Sequence, residues 1–207
     1  MFLAKKFQTF SPTASTLRVG NIKNTYIAGN AVFIKRDEKL VQQALKGNRK
    51  AWFTLISRYE TAMYQYGIRM TGSSHDASDL MQDIFVSVYR SLANYRGDGT
   101  FKSWLYRIAH CRCMELYRKR KAFTDIDDIP EPLCETSCPE MQLTSDRQSR
   151  AVTQAMQALP LTQKAVVELK FFGQFTFEEI AEQMDISVNT AKSRLYSALT
   201  KLKLELE

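Results

Sequence analysis

Histidine occurs only twice in the 207 residues, as His75 and His110, and cysteine four times, as Cys111, Cys113, Cys134 and Cys138. The two histidines fall in separate helical contexts. No glycine-rich phosphate loop precedes a helix, and no Ser/His/Asp or zinc-ligand spacing forms, so catalysis and a bound cofactor are not expected. Cys111 and Cys113 sit about 200° apart around a helix axis, where one metal cannot easily take both. Reduced thiols are the expectation for all four cysteines, with redox sensing through Cys134 and Cys138 left open. What does recur is aromatic rings beside cations. Tyr95, Arg96, Phe101, Trp104 and Tyr106 surround Gly97 and Gly99, and Arg118-Lys119-Arg120-Lys121 follows. Rings can stack on bases and cations can neutralise phosphates, so the cluster is compatible with nucleic-acid contact without selecting it. Two plainer readings stand beside it: Phe101 and Trp104 as core residues, and the cation run as a solvated helix end.

Helices must position these groups. Leu40, Val41, Ala44 and Leu45 form a short apolar stripe that stops at Gly47. Asn48 can cap a longer helix in which Trp52, Leu55, Ile56, Tyr59, Met63, Tyr66 and Met70 recur every three or four residues up to Gly72. Ser73 or Ser74 caps the next, which carries Asp76 and Asp79 near its N-terminus and Leu80, Ile84, Val88 and Leu92 as its buried stripe. Asp79, Gln82, Asp83 and Val86 fall away from that stripe. A loop over residues 94–100 leads to a helix over Phe101–Lys121. Residues 122–145 contain Pro130, Pro132 and Pro139 with many acids and no helical period. Four further helical segments follow: Asp146–Ala158, Leu161–Phe172, Thr176–Asp185 and Val188 to about Leu204. Strand alternation is missing throughout, so the expected class is all-α: two helical domains joined by a flexible acidic linker, the second a winged-helix-like four-helix unit without strands. The expected boundaries are 1–34 for a disordered basic tail, 35–122, 123–145 for the linker, and 146–207. A mis-set translation start is an equal reading of the tail.

The last two helices carry the sharpest pattern. Thr176-Phe177-Glu178-Glu179 reads as a capping box, Asp185-Ile186-Ser187 as a three-residue turn, and Ser187 as the next cap. That is the layout of a helix-turn-helix. On the second helix Val188, Ala191, Leu195, Leu199 and Leu202 share one arc. Asn189, Thr190, Ser193, Ser197 and Thr200 lie opposite, flanked by Lys192, Arg194, Tyr196 and Lys201. Short polar groups and cations suit base edges and phosphates. A surface helix of no special function would show the same stripe; the cap and turn favour the DNA reading.

Three segments, in order, resemble the extracytoplasmic-function (ECF) sigma factors, the small promoter-specificity subunits of bacterial RNA polymerase, over about residues 37–207. They are Asp76-Ala77-Ser78-Asp79-Leu80-Met81-Gln82-Asp83-Ile84-Phe85, the stretch Tyr95–Ala109, and Phe175–Ala181 with Lys192-Ser193-Arg194-Leu195. The resemblance implies that Asp79, Gln82, Asp83 and Phe85 dock on the clamp helices of the largest polymerase subunit, with a further contact to the flap. It implies DNA contacts from Tyr95, Arg96, Phe101, Arg112, Arg118, Lys119 and Arg120 at the minus-ten element. At the minus-thirty-five element it implies Asn189, Thr190, Lys192, Ser193, Arg194 and Tyr196. An anti-sigma factor is a further implied partner. Asp185 stands where the family usually has Gly, a substitution that a left-handed turn tolerates.

Composition agrees with such a role without establishing it. Apolar residues make up 44% and charged residues 25%, ordinary globular values. Residues 1–36 carry six cations and no acid, whereas 122–150 carry seven acids and two cations, so the net +7 depends heavily on the tail. Local clusters, not net charge, must carry the nucleic-acid argument. No apolar run approaches the roughly 18 residues of a membrane span, and Met1–Phe10 lacks a signal-peptide core. The expectation is a cytoplasmic protein without membrane insertion, open to sequestration at the membrane through an anti-sigma factor. The rival reading is a stand-alone helix-turn-helix regulator, which leaves residues 76–121 unexplained.

Overall fold

A computed structural model describes the backbone of residues 30–124 and 145–206 and the side chains of residues 37–121 and 150–205. The tail over 1–29, the linker over 125–144, Cys134 and Cys138 lie outside the described residues. Within them the chain is all-α, as expected, with no strand. The helices are α1 (Asn30–Leu45), α2 (Arg49–Thr71), α3 (Ser74–Ser91), α4 (Phe101–Thr124), α5 (Ser145–Gln157), α6 (Leu161–Val167), α7 (Phe177–Met184) and α8 (Val188–Leu206). A 3₁₀ turn, Leu92–Asn94, ends α3, and a π turn, Glu168–Phe172, continues α6. Helix α1 starts earlier than the apolar stripe suggests, because no Gly or Pro interrupts the backbone between Asn30 and Lys46.

Capping residues set the other boundaries. The Asn48 side chain accepts from the Ala51 N–H at 3.2 Å, and Gly72 ends α2 in the left-handed region at φ 76°. Ser73, not Ser74, caps α3 by accepting from the Asp76 N–H. The tight Gly72-Ser73 connection makes α2 and α3 an antiparallel pair. Their closest approach is at Gly67, where an added Cβ would lie 2.8 Å from the Ala77 Cα. Leu55, Met63, Met70, Leu80, Ile84 and Leu105 fill the space between α2, α3 and α4. Helix α1 is tied down at buried Asp37, which accepts from the Tyr59 hydroxyl at 2.5 Å and pairs with Arg58.

The second group, α5 to α8, packs Met156, Val166, Leu169, Ile180, Ala191 and Leu195. In α8 the buried stripe is Ala191, Leu195, Ala198 and Leu202, so Ala198 replaces the expected Leu199, which is exposed. Spacings of four, three and four follow the 3.6-residue period more closely than a step onto Leu199. The core of this group runs on into that of the first.

Gly67→Ala should lower stability by about 1–3 kcal/mol through overpacking at the α2–α3 crossing. Urea denaturation monitored by circular dichroism measures it, and an unchanged midpoint would refute the close-approach argument.

Candidate nucleic-acid interface

The helix-turn-helix forms as its local chemistry dictates. Thr176 Oγ1 accepts from the Glu179 N–H at 3.2 Å while the Glu179 carboxylate accepts from the Thr176 N–H at 2.7 Å, a complete capping box. Asp185 adopts φ 53°, ψ 51°, the left-handed conformation that ends α7. The Ile186 N–H donates back to the Ala181 carbonyl at 3.0 Å, and Ser187 caps α8 by accepting from the Thr190 N–H at 3.0 Å. These bonds fix the angle at which α8 leaves the turn.

Along α8 the expected face is displayed. Asn189, Lys192, Ser193 and Tyr196 are exposed, Tyr196 to 64%, and Arg194 is half-buried. Lys192 Nζ lies 5.7 Å from the Phe177 ring centre, which restrains its stem. The Thr190 hydroxyl is shared with Ser187 at 2.8 Å, so its first role here is in the cap.

The segment joining α3 to α4 is a ring cluster. Tyr95 packs its ring 6.0 Å from Phe101 and 5.3 Å from Trp104, and its hydroxyl donates to the Gly99 carbonyl at 2.7 Å. Gly97, at φ 80°, allows the loop to turn back. Arg96 is exposed, while Tyr95 and Trp104 keep part of their surface open. Phe101 differs from the stacking expectation. It is only 2% exposed and supports Tyr95 and Tyr59 from below, because α4 turns its first residue into the core.

Farther along α4, Arg118 and Lys119 are exposed, whereas Arg112 pairs with Glu115 at 2.7 Å and Arg120 with Asp76 at 2.5 Å. Burial pushes the His110 imidazole below its usual value, consistent with a neutral packed ring. Among the described residues no group of three or more His, Cys, Asp or Glu is placed to hold a metal.

On α3, Asp79, Gln82 and Asp83 are exposed and Phe85 is half-buried beside them. Sequence reasoning set Val86 off the buried stripe but missed the exposed rings of Tyr89 and Phe53 nearby. Val86 is exposed, Tyr89 is 54% exposed with its ring 5.1 Å from Trp52, and Phe53 on α2 is 63% exposed. The available signal was an aromatic off the buried stripe of each helix. An acidic face bordering exposed rings has the composition of a protein interface.

Residues 55–123 match the family description Sigma-70 region 2, and residues 149–202 match Sigma-70, region 4. The ECF RNA polymerase sigma-E factor of Escherichia coli K12 is 31% identical over 172 residues, spanning 78% of this chain and 90% of that protein. The chain belongs to the ECF RNA polymerase sigma factor family. Family membership makes it a transcription initiation factor rather than an enzyme. This sigma factor is also 29% identical to the RNA polymerase sigma-H factor of Pseudomonas aeruginosa over 174 residues, covering 79% of the chain and 90% of the relative. Two solved structures share its fold. RpoE in complex with the anti-sigma factor NepR from Bartonella quintana gives a TM-score of 0.65 at 20% identity, over 76% of this chain and 97% of that one. CnrH in complex with the cytosolic domain of CnrY gives 0.61 at 23%, over 83% and 97%. Among the described residues of the sigma factor no helix is long and apolar enough to cross a membrane.

Two thiols on α4 separate sharply. Cys111 is exposed, whereas burial pushes the Cys113 thiol up to about 12. In a Cys134→Ser/Cys138→Ser background at pH 8, iodoacetamide should label Cys111 and leave Cys113 untouched until the chain unfolds, because the thiolate is the reactive form. Peptide mass mapping reads this, and equal labelling of both would contradict the α4 packing.

Proposed function

We propose that this sigma factor binds core RNA polymerase, recognises minus-thirty-five and minus-ten promoter elements, and promotes DNA melting. The observation that carries the reading is the exposed face of α8, where Asn189, Lys192, Ser193 and Tyr196 stand on a helix aimed by a capped three-residue turn. In region 4, Lys192 meets phosphate while Asn189, Ser193 and Tyr196 reach base edges in the major groove. In region 2, the α3–α4 loop captures the opened strand. Unstacking a base step costs a few kcal/mol, and the half-open rings of Tyr95 and Trp104 with the Arg96 cation offset it by stacking and phosphate neutralisation. Arg118 and Lys119 extend that cationic track. Asp79, Gln82 and Asp83 with Phe85 form the surface for the polymerase clamp, and region 4 meets the flap.

An anti-sigma factor completes the set of partners. Support comes from the two structural relatives, one solved with an anti-sigma factor and the other with the cytosolic domain of CnrY. Such a partner accounts for cytoplasmic residence with sequestration at the membrane.

In run-off transcription with purified core enzyme, the chain should produce transcripts from its promoters, whose two elements can be read from transcript ends after overexpression. A stand-alone helix-turn-helix regulator would instead bind duplex DNA and yield none. Lys192→Ala and Tyr196→Ala should each weaken promoter binding by roughly 5- to 100-fold, equivalent to about 1–3 kcal/mol. The paired change Asp79→Ala/Asp83→Ala should weaken core binding by about fivefold or more while leaving duplex binding intact. Unchanged core affinity would remove the acidic face from the interface.

A further inference from the structure

The loop between α3 and α4 has little packing of its own. Arg96, Gly97, Asp98 and Gly99 are exposed, and a Cβ added at Gly97 or Gly99 would meet nothing within 4 Å. Tyr95 ties the loop down: its hydroxyl donates to the Gly99 carbonyl at 2.7 Å while its ring lies 6.0 Å from Phe101 and 5.3 Å from Trp104. Phe101 in turn is buried and lies 5.5 Å from the Tyr59 ring at a tilt of 58°. The Tyr59 hydroxyl donates to Asp37 Oδ2 at 2.5 Å, and the neighbouring Arg58 pairs with Asp37 Oδ1.

A buried carboxylate is an unusual fastening for a helix. Among the described side chains of α1, Val41 is buried, Leu40 and Ala44 are half-buried and Leu45 is exposed. Such a short stripe does not set the rotation of α1, because apolar contact has no direction. Asp37 supplies the direction. Both of its oxygens are taken by adjacent residues of α2, and charge-assisted hydrogen bonds fix distance and angle together. The tie also brings α1 close to the loop. Burial raises the Tyr95 phenol above its usual value, and the Glu38 and Asp37 carboxylates of α1 raise it further.

We infer that Asp37 is a positioning residue for minus-ten capture: through Tyr59 and Phe101 it sets the placement of the Tyr95 ring on which an unpaired base stacks. The inference rests on the promoter reading above. It extends that reading to α1, which lies ahead of residues 55–123 matched to Sigma-70 region 2. Asp37 is too buried to meet the strand itself and acts by rigidity. A ring already held in place loses less conformational freedom when the base arrives.

The test uses the full chain with core RNA polymerase and a promoter whose elements are read from transcript ends, carrying 2-aminopurine in its minus-ten element to report opening. Asp37→Ala should lower the ratio of open to closed promoter about tenfold, the loss of much of one base stack. Tyr59→Phe keeps the ring, removes the hydroxyl and should lower it about threefold. Asp37→Asn keeps an acceptor for Tyr59 and should stay within about twofold of wild type. Core affinity should be the same in all three. Lost stability alone does not give this pattern, so Gly67→Ala, the overpacking variant of the α2–α3 crossing, should open the promoter as wild type does. Adding Asp37→Ala to Tyr95→Ala should lower opening no further, since both act through one ring. The free chain gives an independent readout. Trp52→Phe leaves Trp104 as the single tryptophan, and acrylamide should quench it more strongly in Asp37→Ala than in wild type or Asp37→Asn. Losses from Asp37→Ala and Tyr95→Ala that add in full would overturn the positioning role. So would unchanged opening, or unchanged quenching, in Asp37→Ala. Should that variant not fold by circular dichroism, Tyr59→Phe takes its place in the cycle and in the quenching comparison. If wild type itself opens no promoter with core enzyme, the promoter reading fails and the positioning role falls with it, even with the quenching difference intact.

Discussion

A carboxylate with no solvent exposure demands a matched cation, and the arrangement around Glu168 answers that demand from the other half of the chain. Burial raises the Glu168 proton affinity while the Arg69 guanidinium opposes it. Removing either member leaves an uncompensated buried charge, whereas separating the two halves returns both to water. The same contact solves a backbone problem. The last carbonyls of α2 have no partner within their own helix, and Gln157, Lys164 and the Tyr117 hydroxyl supply donors. The relation between the two helical groups thus joins ionic and hydrogen-bonded complementarity to an apolar core that runs on from one group into the other.

Each group nevertheless keeps an exposed polar face clear of the seam between them. The α8 face and the Arg96 loop are exposed, and the acidic α3 face with its neighbouring rings is exposed as well. Surfaces of opposite chemistry sit on separate elements: cations and short polar groups on α8 and the α3–α4 loop, acids bordered by aromatics on α3. Keeping the two apart avoids neutralising the cations that DNA contacts require. The pairing of Arg120 with Asp76 and of Arg112 with Glu115 shows the opposite arrangement, in which nearby cations are held by the protein's own acids.

Much of the candidate site was legible because its signals are local. The Thr176 to Glu179 capping box, the Asp185 turn and the Ser187 cap each involve residues within a few positions of one another, and short-range hydrogen bonding decides their form. The exposed positions of α3 and α8 followed from helical period. Phe101 was left between a stacking ring and a core residue, and the fold buries it, because period alone does not say which of several neighbouring aromatics points inward. The same limit exchanged Leu199 for Ala198 in the α8 stripe.

By itself the sequence determined the all-α class, the helix boundaries marked by Asn48, Gly72, Thr176 and Ser187, and the family, because these depend on capping chemistry, period and short motifs. Only the tertiary structure decided that Arg69 meets Glu168, that Lys164 reaches the end of α2, and that Gln183 lies on Ser103. Those partners stand 80 to 99 positions apart along the chain. A buried acid within an apolar run such as Ala165-Val166-Val167-Glu168-Leu169 announces that a cation must come from somewhere. Which cation it is depends on how two groups of helices distant in sequence are brought together, and no local rule encodes that.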